Sequence, residues 1–216
     1  MEINKYIEHT LLKQDATKSE LEKLFEDAKK YEFYGVCVNP VNVAFAKKYL
    51  KNSDVKIVTV CGFPLGASVS VVKAFEAKTA IADGADEVDM VINVSALKNK
   101  DYELVESDIR LVKEACGNNI LKVIIETDLL TKEEIVKACE LSISAGADFV
   151  KTSTGFVKDG VGAKPEDVEL MHKTVSASGL RVKASGGVRD FEKAKLVVEK
   201  GASRIGTSSS VKIVEN

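Results

Sequence analysis

Short apolar runs alternate with longer amphipathic segments from one end of this chain to the other, and that alternation limits its fold more than any other feature. The runs are GVCV at 35–38, KIVTVC at 56–61, EVDMVI at 87–92, LKVII at 121–125, DFVK at 148–151, LRVKA at 180–184 and SRIG at 203–206. IEHT at 7–10 supplies one more short strand ahead of the first helical segment. Brevity and β-branched content are what strands of a parallel sheet buried on both faces should have. Between the runs, residues 18–32 place Leu21, Leu24, Phe25 and Ala28 on one helical face, with Lys and Glu opposite. Residues 69–82, 102–115, 132–145, 165–177 and 190–200 read similarly.

Helix punctuation agrees. Thr131 followed by Glu134 is a capping-box pattern, Asp101 and Asp190 stand where N-caps belong, and Gly84, Gly117, Gly146, Gly179 and Gly201 fall where helices should stop. The phrases DGADEVD, SAGADFVK and EKGASRIG repeat one joint, a helix end passing through glycine and a small residue into the next strand. Such a chain makes either an open doubly wound sheet or a closed barrel. No GxGxxG follows an early strand, and no Pro/Gly/Ser-rich linker divides the sequence. The expectation is a single (β/α)8 TIM barrel over residues 1–216, near the short end of that fold's roughly 200–400 residue range.

Composition narrows the function. The net charge of -2 offers no basic surface for nucleic acid or an anionic membrane. The N-terminus lacks an apolar signal region, and no run of about 18 apolar residues occurs, so a cytoplasmic protein is expected. Four scattered cysteines without a CxxC pair suit reduced thiols and give no zinc-type spacing. With only His9 and His172 present, a Ser-His-Asp hydrolase or a multi-histidine metal site is disfavoured.

In a barrel of this kind the active site lies at the C-terminal ends of the strands. Lys151 sits in Phe149-Val150-Lys151-Thr152-Ser153-Thr154-Gly155, and Lys183 in Arg181-Val182-Lys183-Ala184-Ser185-Gly186-Gly187. Asp89 sits inside Val88-Asp89-Met90-Val91. An ionisable group in an apolar strand is costly unless paired or neutral. One reading is a structural Lys–Asp pair, with the other lysine facing outward. The other is a buried cluster that makes a nucleophile. At pH 7 fewer than roughly one free lysine in a thousand is neutral, and a second ammonium with partial desolvation raises that fraction. Asp89 would then balance charge and relay a proton.

Two further loops suggest a phosphate. Ser185-Gly186-Gly187 follows strand seven, and Gly206-Thr207-Ser208-Ser209-Ser210 follows strand eight, the two loops from which barrels frequently build such a site. Glycines let the backbone approach an anion, while hydroxyl and N–H groups donate to it. Arg189 either contributes or is surface. Thr10 is a candidate substrate contact. His9 reads as a packed histidine, His172 as solvent-facing, and Cys37 and Cys61 as core. The segments Asn39-Pro40 and Gly62-Phe63-Pro64-Leu65-Gly66 either line the cleft or simply end their strands.

These strand-end residues resemble the deoxyribose-phosphate aldolases, a family of class I aldolases. The resemblance covers nearly the whole chain: HTLLK near the start, VCVNP at 36–40, GFPLG at 62–66, ADEVDMVINV at 85–94, KVIIET at 122–127, AGADFVKTSTGF at 145–156, VKASGGVR at 182–189 and GTSSS at 206–210. It implies a Schiff base on Lys151, tuning by Lys183 and proton transfer assisted by Asp89. It implies a phosphate site from Gly155, Gly186, Gly187, Ser208 and Ser209, with Thr10, Thr152 and Gly206 also at the substrate. The reaction implied is reversible cleavage of 2-deoxy-D-ribose 5-phosphate to acetaldehyde and D-glyceraldehyde 3-phosphate, without metal or organic cofactor, in a homodimer or homotetramer. Two positions depart from the family pattern. Glu8 stands where the family commonly has Asp, and the 157–164 loop is less glycine-rich. Two rival readings are a transaldolase-like Schiff-base barrel that transfers a dihydroxyacetone unit, and a non-catalytic sugar-phosphate binding barrel.

Overall fold

In the computed structural model, which describes residues 1–215, eight parallel strands close into a barrel in sequence order, β8 pairing with β1. The strands are β1 (Ile7–Leu11), β2 (Gly35–Val38), β3 (Lys56–Cys61), β4 (Glu87–Val91), β5 (Ile120–Ile124), β6 (Phe149–Lys151), β7 (Arg181–Ser185) and β8 (Ala202–Thr207). The α-helices of the described residues are α1 (Lys18–Lys30), α2 (Val43–Tyr49), α3 (Ser70–Ala82), α4 (Val94–Lys98), α5 (Tyr102–Cys116), α6 (Lys132–Ser144), α7 (Pro165–Val175), α8 (Phe191–Glu199) and α9 (Ser210–Val214). None is long and apolar enough to cross a membrane.

Local chemistry explains the boundaries. Thr131 and Glu134 close a reciprocal capping box on α6, and Thr17 with Glu20 does the same on α1. Asp101 and Asp190 accept from the third residue of their helices, as their positions in the sequence suggest. The short helices α2, α4 and α9 carry too few turns for a helical periodicity to show in the sequence.

Alternation along the strands sorts side chains into two environments. Val36, Val38, Ile57, Cys61, Val88, Met90, Leu121, Val123, Val150, Val182, Ala184 and Ile205 point outward and join the helices in the main apolar core. The barrel interior is divided. Cys37, Val58 and Val60 form a small apolar cluster on the β2–β3 side. The rest of the interior is largely ionic: Glu8, Glu87, Asp89, Lys122, Lys151, Lys183 and Arg204 are all buried.

Helix α3 corrects the sequence reading. Its inner face carries Lys73, fully buried and 2.6 Å from Asp108 of α5, while Val71, Val72 and Phe75 point to solvent. With Val41, Leu65 and Val69 they make an exposed apolar face beside a hollow of about 710 Å³. A helix that is apolar on both sides gives little orientation signal, and here the buried face carries a lysine.

His9 lies on the outer side of β1, edge-on to Phe33 at 5.4 Å between ring centroids. Burial pushes its imidazole down to about 4 from 6.5. Between those two values the unfolded chain binds the extra proton and the folded one does not, so stability falls as pH drops through that window. His9→Phe should remove that component, about 3 kcal/mol at roughly 1.4 kcal/mol per unit. Urea unfolding of both proteins at pH 7 and pH 4 measures it; an identical loss in the two would refute a buried neutral His9.

Candidate active site

Parallel register sets the cluster's geometry. Asp89 is paired with Lys122 across β4–β5, Lys151 with Lys183 across β6–β7, and Lys183 with Arg204 across β7–β8. Both lysines named from the sequence face inward, which excludes the reading with one turned to the helices. They converge on one atom, Asp89 Oδ2, at 2.7 Å from Lys151 Nζ and 2.6 Å from Lys183 Nζ. The other oxygen, Oδ1, is 2.9 Å from Lys122 Nζ.

Position in the field separates the groups. Burial lowers the Lys151 ammonium below its ordinary value, Asp89 opposes this, and Lys183 adds to it, leaving the net shift downward. Burial would also lower Lys183, but Asp89 and Glu8 overcome it and raise the group. Burial would raise Asp89, yet Lys122, Lys151 and Lys183 hold it well below the usual carboxylate range. One amine is therefore biased toward the neutral form while its neighbour stays charged. Cys37, from β2, also faces this group, and burial pushes its thiol up to about 11.

Lys151 lies in a cavity of about 290 Å³ at the C-terminal end of the barrel. Thr10, Gly155, Gly186, Gly187, Gly206, Ser208 and Ser209, all named from the sequence, also line it. Arg189 lines it too and is exposed there, and an adjoining hollow of about 330 Å³ shares Gly155, Gly186, Gly187 and Arg189. Thr152 is placed differently. Its buried hydroxyl donates to the Ser185 carbonyl at 2.9 Å and accepts from the Ser185 N–H at 2.9 Å, fastening β6 to β7 and leaving no donor for a substrate. The larger apolar hollow beside α3 holds no lysine, so size alone does not select the site.

The loops are held from beneath. Glu126, at the end of β5 with φ of 61°, accepts from the Thr154 N–H at 3.1 Å and from its hydroxyl. Asp128 accepts from the Gly162 N–H at 2.7 Å, and the Ala163 N–H reaches the Gly186 carbonyl at 2.9 Å. The 157–164 segment is thus tied to the paired-glycine loop despite its sparser glycine. Gly187 has φ of 70°, and a Cβ there would lie 2.3 Å from the Val161 carbonyl oxygen.

Sequence reasoning missed Lys122, Glu87, Arg204, Glu126 and Asp128 as members of the site. Lys122 and Arg204 were visible only as single charges inside LKVII and SRIG; Glu87 shares the inward face of β4 with Asp89 at a spacing of two.

Over residues 3–212 the sequence matches the family model described as DeoC/LacD family aldolase. The chain belongs to that aldolase family. It is 58% identical over 215 residues to the deoxyribose-phosphate aldolase of Finegoldia magna, covering 100% of both chains. It is 56% identical to that of Lactococcus lactis subsp. lactis, covering 100% of this chain and 96% of the relative. The barrel superposes on a deoxyribose phosphate aldolase from Aeropyrum pernix, described as tetrameric, with a TM-score of 0.89 at 34% identity, covering 99% of this chain and 89% of that one.

Within this aldolase fold the paired-glycine loop has no room for a side chain at Gly187. Gly187→Ala should force Val161 away and raise the KM for a phosphorylated substrate about tenfold, roughly 1.4 kcal/mol. Steady-state kinetics with phosphorylated and unphosphorylated substrates test this; equal losses on both would detach the loop from phosphate binding.

Proposed function

We propose that this protein reversibly cleaves 2-deoxy-D-ribose 5-phosphate to acetaldehyde and D-glyceraldehyde 3-phosphate through an imine on Lys151. One observation carries the reading: an amine with a lowered pKa on the wall of a cleft, sharing a carboxylate oxygen with a second ammonium, beneath glycine–serine loops. The family membership and the names of the relatives support it.

The neutral Lys151 nitrogen attacks the C1 aldehyde of the open-chain sugar. Loss of water from the carbinolamine leaves a protonated imine, which withdraws electrons from the C2–C3 bond. Asp89, kept ionised by its three lysines, faces that cationic nitrogen and takes the C3 hydroxyl proton through a water, the same path later returning a proton to C2. As C2–C3 breaks, its electron pair moves into an enamine, and the C3 oxygen becomes the carbonyl of glyceraldehyde 3-phosphate. Protonation at C2 and addition of water to the imine then release acetaldehyde and restore the amine. Gly155, Gly186, Gly187, Ser208 and Ser209 hold the phosphate by backbone N–H and hydroxyl groups, with Arg189 beside them. Binding there is remote from the breaking bond and orients it. Thr10 and Gly206 shape the wall nearer the amine. This reading carries with it one catalytic domain over residues 1–216 and a cytoplasmic setting, which the four buried free cysteines suit.

Borohydride reduction with acetaldehyde, followed by peptide mapping, should place the adduct on Lys151; an adduct elsewhere, or none, overturns the mechanism. Replacing acetaldehyde with dihydroxyacetone as donor separates the transaldolase-like rival. Lys183→Leu should raise the Lys151 pKa, so its loss of rate should shrink at high pH. A loss constant with pH would assign Lys183 another role.

We also propose that the protein is a homo-oligomer joined through the apolar face around Phe75, 72% exposed, and Leu65, 77% exposed. Phe75→Lys should convert it to a smaller species in light scattering. A variant that keeps the parent's mass would move the interface elsewhere.

A further inference from the structure

The ionic interior is a closed ring of contacts that extends well below the cleft. Asp89 touches Lys151, Lys183 and Lys122. Lys183 reaches Glu8, and Glu8 Oε1 lies 3.2 Å from Arg204 Nε. Arg204 extends an amino group to 3.8 Å from Glu87 Oε1, and Glu87 Oε2 lies 2.5 Å from Lys122 Nζ, which closes the ring. Tyr34 caps its lower end, donating to Glu87 at 2.5 Å beneath the Arg204 guanidinium, which stacks 3.3 Å from its ring centroid. Burial pushes the Tyr34 hydroxyl up to about 12, so it adds no charge. Cys37, the other titratable group facing the amine from β2, is likewise neutral. Glu126, above Lys151, bonds Thr154 and makes no ion pair with the ring; burial pushes its carboxyl up although the Lys151 charge opposes this.

The ring holds four basic groups, Lys122, Lys151, Lys183 and Arg204, against three acidic ones, Glu8, Glu87 and Asp89. All are buried, so solvent screens them little and an unmatched charge is expensive. Fully ionised, the ring carries one surplus positive charge; with one neutral amine it carries none. Among the amines, Lys151 alone touches a single carboxylate and borders the cleft.

We propose that Arg204 and Glu87, which line no part of the cleft cavity, are positioning residues for the amine chemistry, each through its own charge: Arg204 supplies the surplus that a neutral Lys151 relieves, and Glu87 limits that surplus. The inference rests on the aldolase reading above and assigns the neutral amine to the whole ring rather than to Lys183 alone. Arg204→Gln leaves three bases facing three acids, a ring balanced with Lys151 charged. Glu87→Gln enlarges the surplus and drives Lys151 further toward the neutral form.

The test is the pH dependence of imine formation, followed as the rate of borohydride-trapped acetaldehyde adduct on the full-length protein. The acid limb should move up by roughly a few tenths of a pH unit in Arg204→Gln and down by a similar amount in Glu87→Gln, less than a directly adjacent charge would give, because both act through the intervening members of the ring. Arg204→Lys, which keeps the charge, should keep the parent's limb, and the double variant should return toward it. Rate losses uniform with pH, or a double variant that merely adds the two losses, would mean that the pair is structural and the inference wrong. Should Arg204→Gln fail to fold, Glu87→Gln decides alone, and an unmoved limb overturns the idea. The parent serves as control in the same assay: no adduct on its Lys151 sinks the aldolase reading itself, whereas a normal adduct with unmoved variants sinks only this one.

Discussion

The site depends on one carboxylate oxygen held between two ammonium groups. Lys151 and Lys183 stand opposite each other on adjacent parallel strands, in the same register and on the same face. Two buried cations at that spacing repel strongly in a medium that screens poorly. Asp89 Oδ2, within 2.7 Å of both, makes the arrangement tenable. Removing one partner from a buried ion pair costs about 3–5 kcal/mol because the other charge is stranded. The carboxylate therefore holds the structure together as well as serving the chemistry, and the two contributions are separable only by their pH dependence.

A barrel can carry this burden because its stability is supplied elsewhere. Interiors of such barrels are ordinarily layers of branched aliphatic side chains. Here Cys37, Val58 and Val60 on the β2–β3 side keep that character, and Val91, Ile124 and Phe149 are buried on the inward face between the charges. The other strands turn their charges inward and send most of their aliphatic residues outward to the helix layer, where the main apolar core lies. Apolar burial outside the sheet thus offsets desolvation inside it. The ionic groups sit on strands, whose ladders fix them, while the cleft's upper wall is made of loops that approach a ligand with backbone.

Much of this was legible in the sequence, for a physical reason. A strand buried on both faces has no use for charge unless the charge is paired or functional, so Lys151, Lys183 and Asp89 stood out within FVK, RVK and VDM. The same rule failed for Lys122 and Arg204. Each was the single charge in a run short enough to pass as a strand with one polar end. Alternation reveals which residues share a face, but not which face points to the axis when both are dry. Lys73 shows the opposite case: charge on a helix ordinarily marks its solvent side, and here it sits on the inner one. Thr152 shows the limit of motif reading. Its place in KTSTG suggested a substrate contact, whereas its hydroxyl gives its only donor to the backbone of β7 and accepts a bond from it.

What distinguishes the two central lysines is a residue that neither strand supplies. They share an oxygen and a depth, yet they shift in opposite directions, Lys151 down and Lys183 up. The difference is Glu8, which bonds Lys183 and not Lys151. To reach it, the Lys183 chain must cross β8, and it does so over Gly206, where a Cβ would lie 3.0 Å from Lys183 Cε. A glycine in β8 and a long acid in β1 thus act together, one clearing the path and the other receiving the ammonium. The shorter aspartate common at this position would have to reach the same nitrogen from a backbone whose register is fixed at Glu8–Gly206. The extra methylene of Glu8 lets one carboxylate meet Lys183 on one oxygen and Arg204 on the other, linking the amine end of the ring to its base.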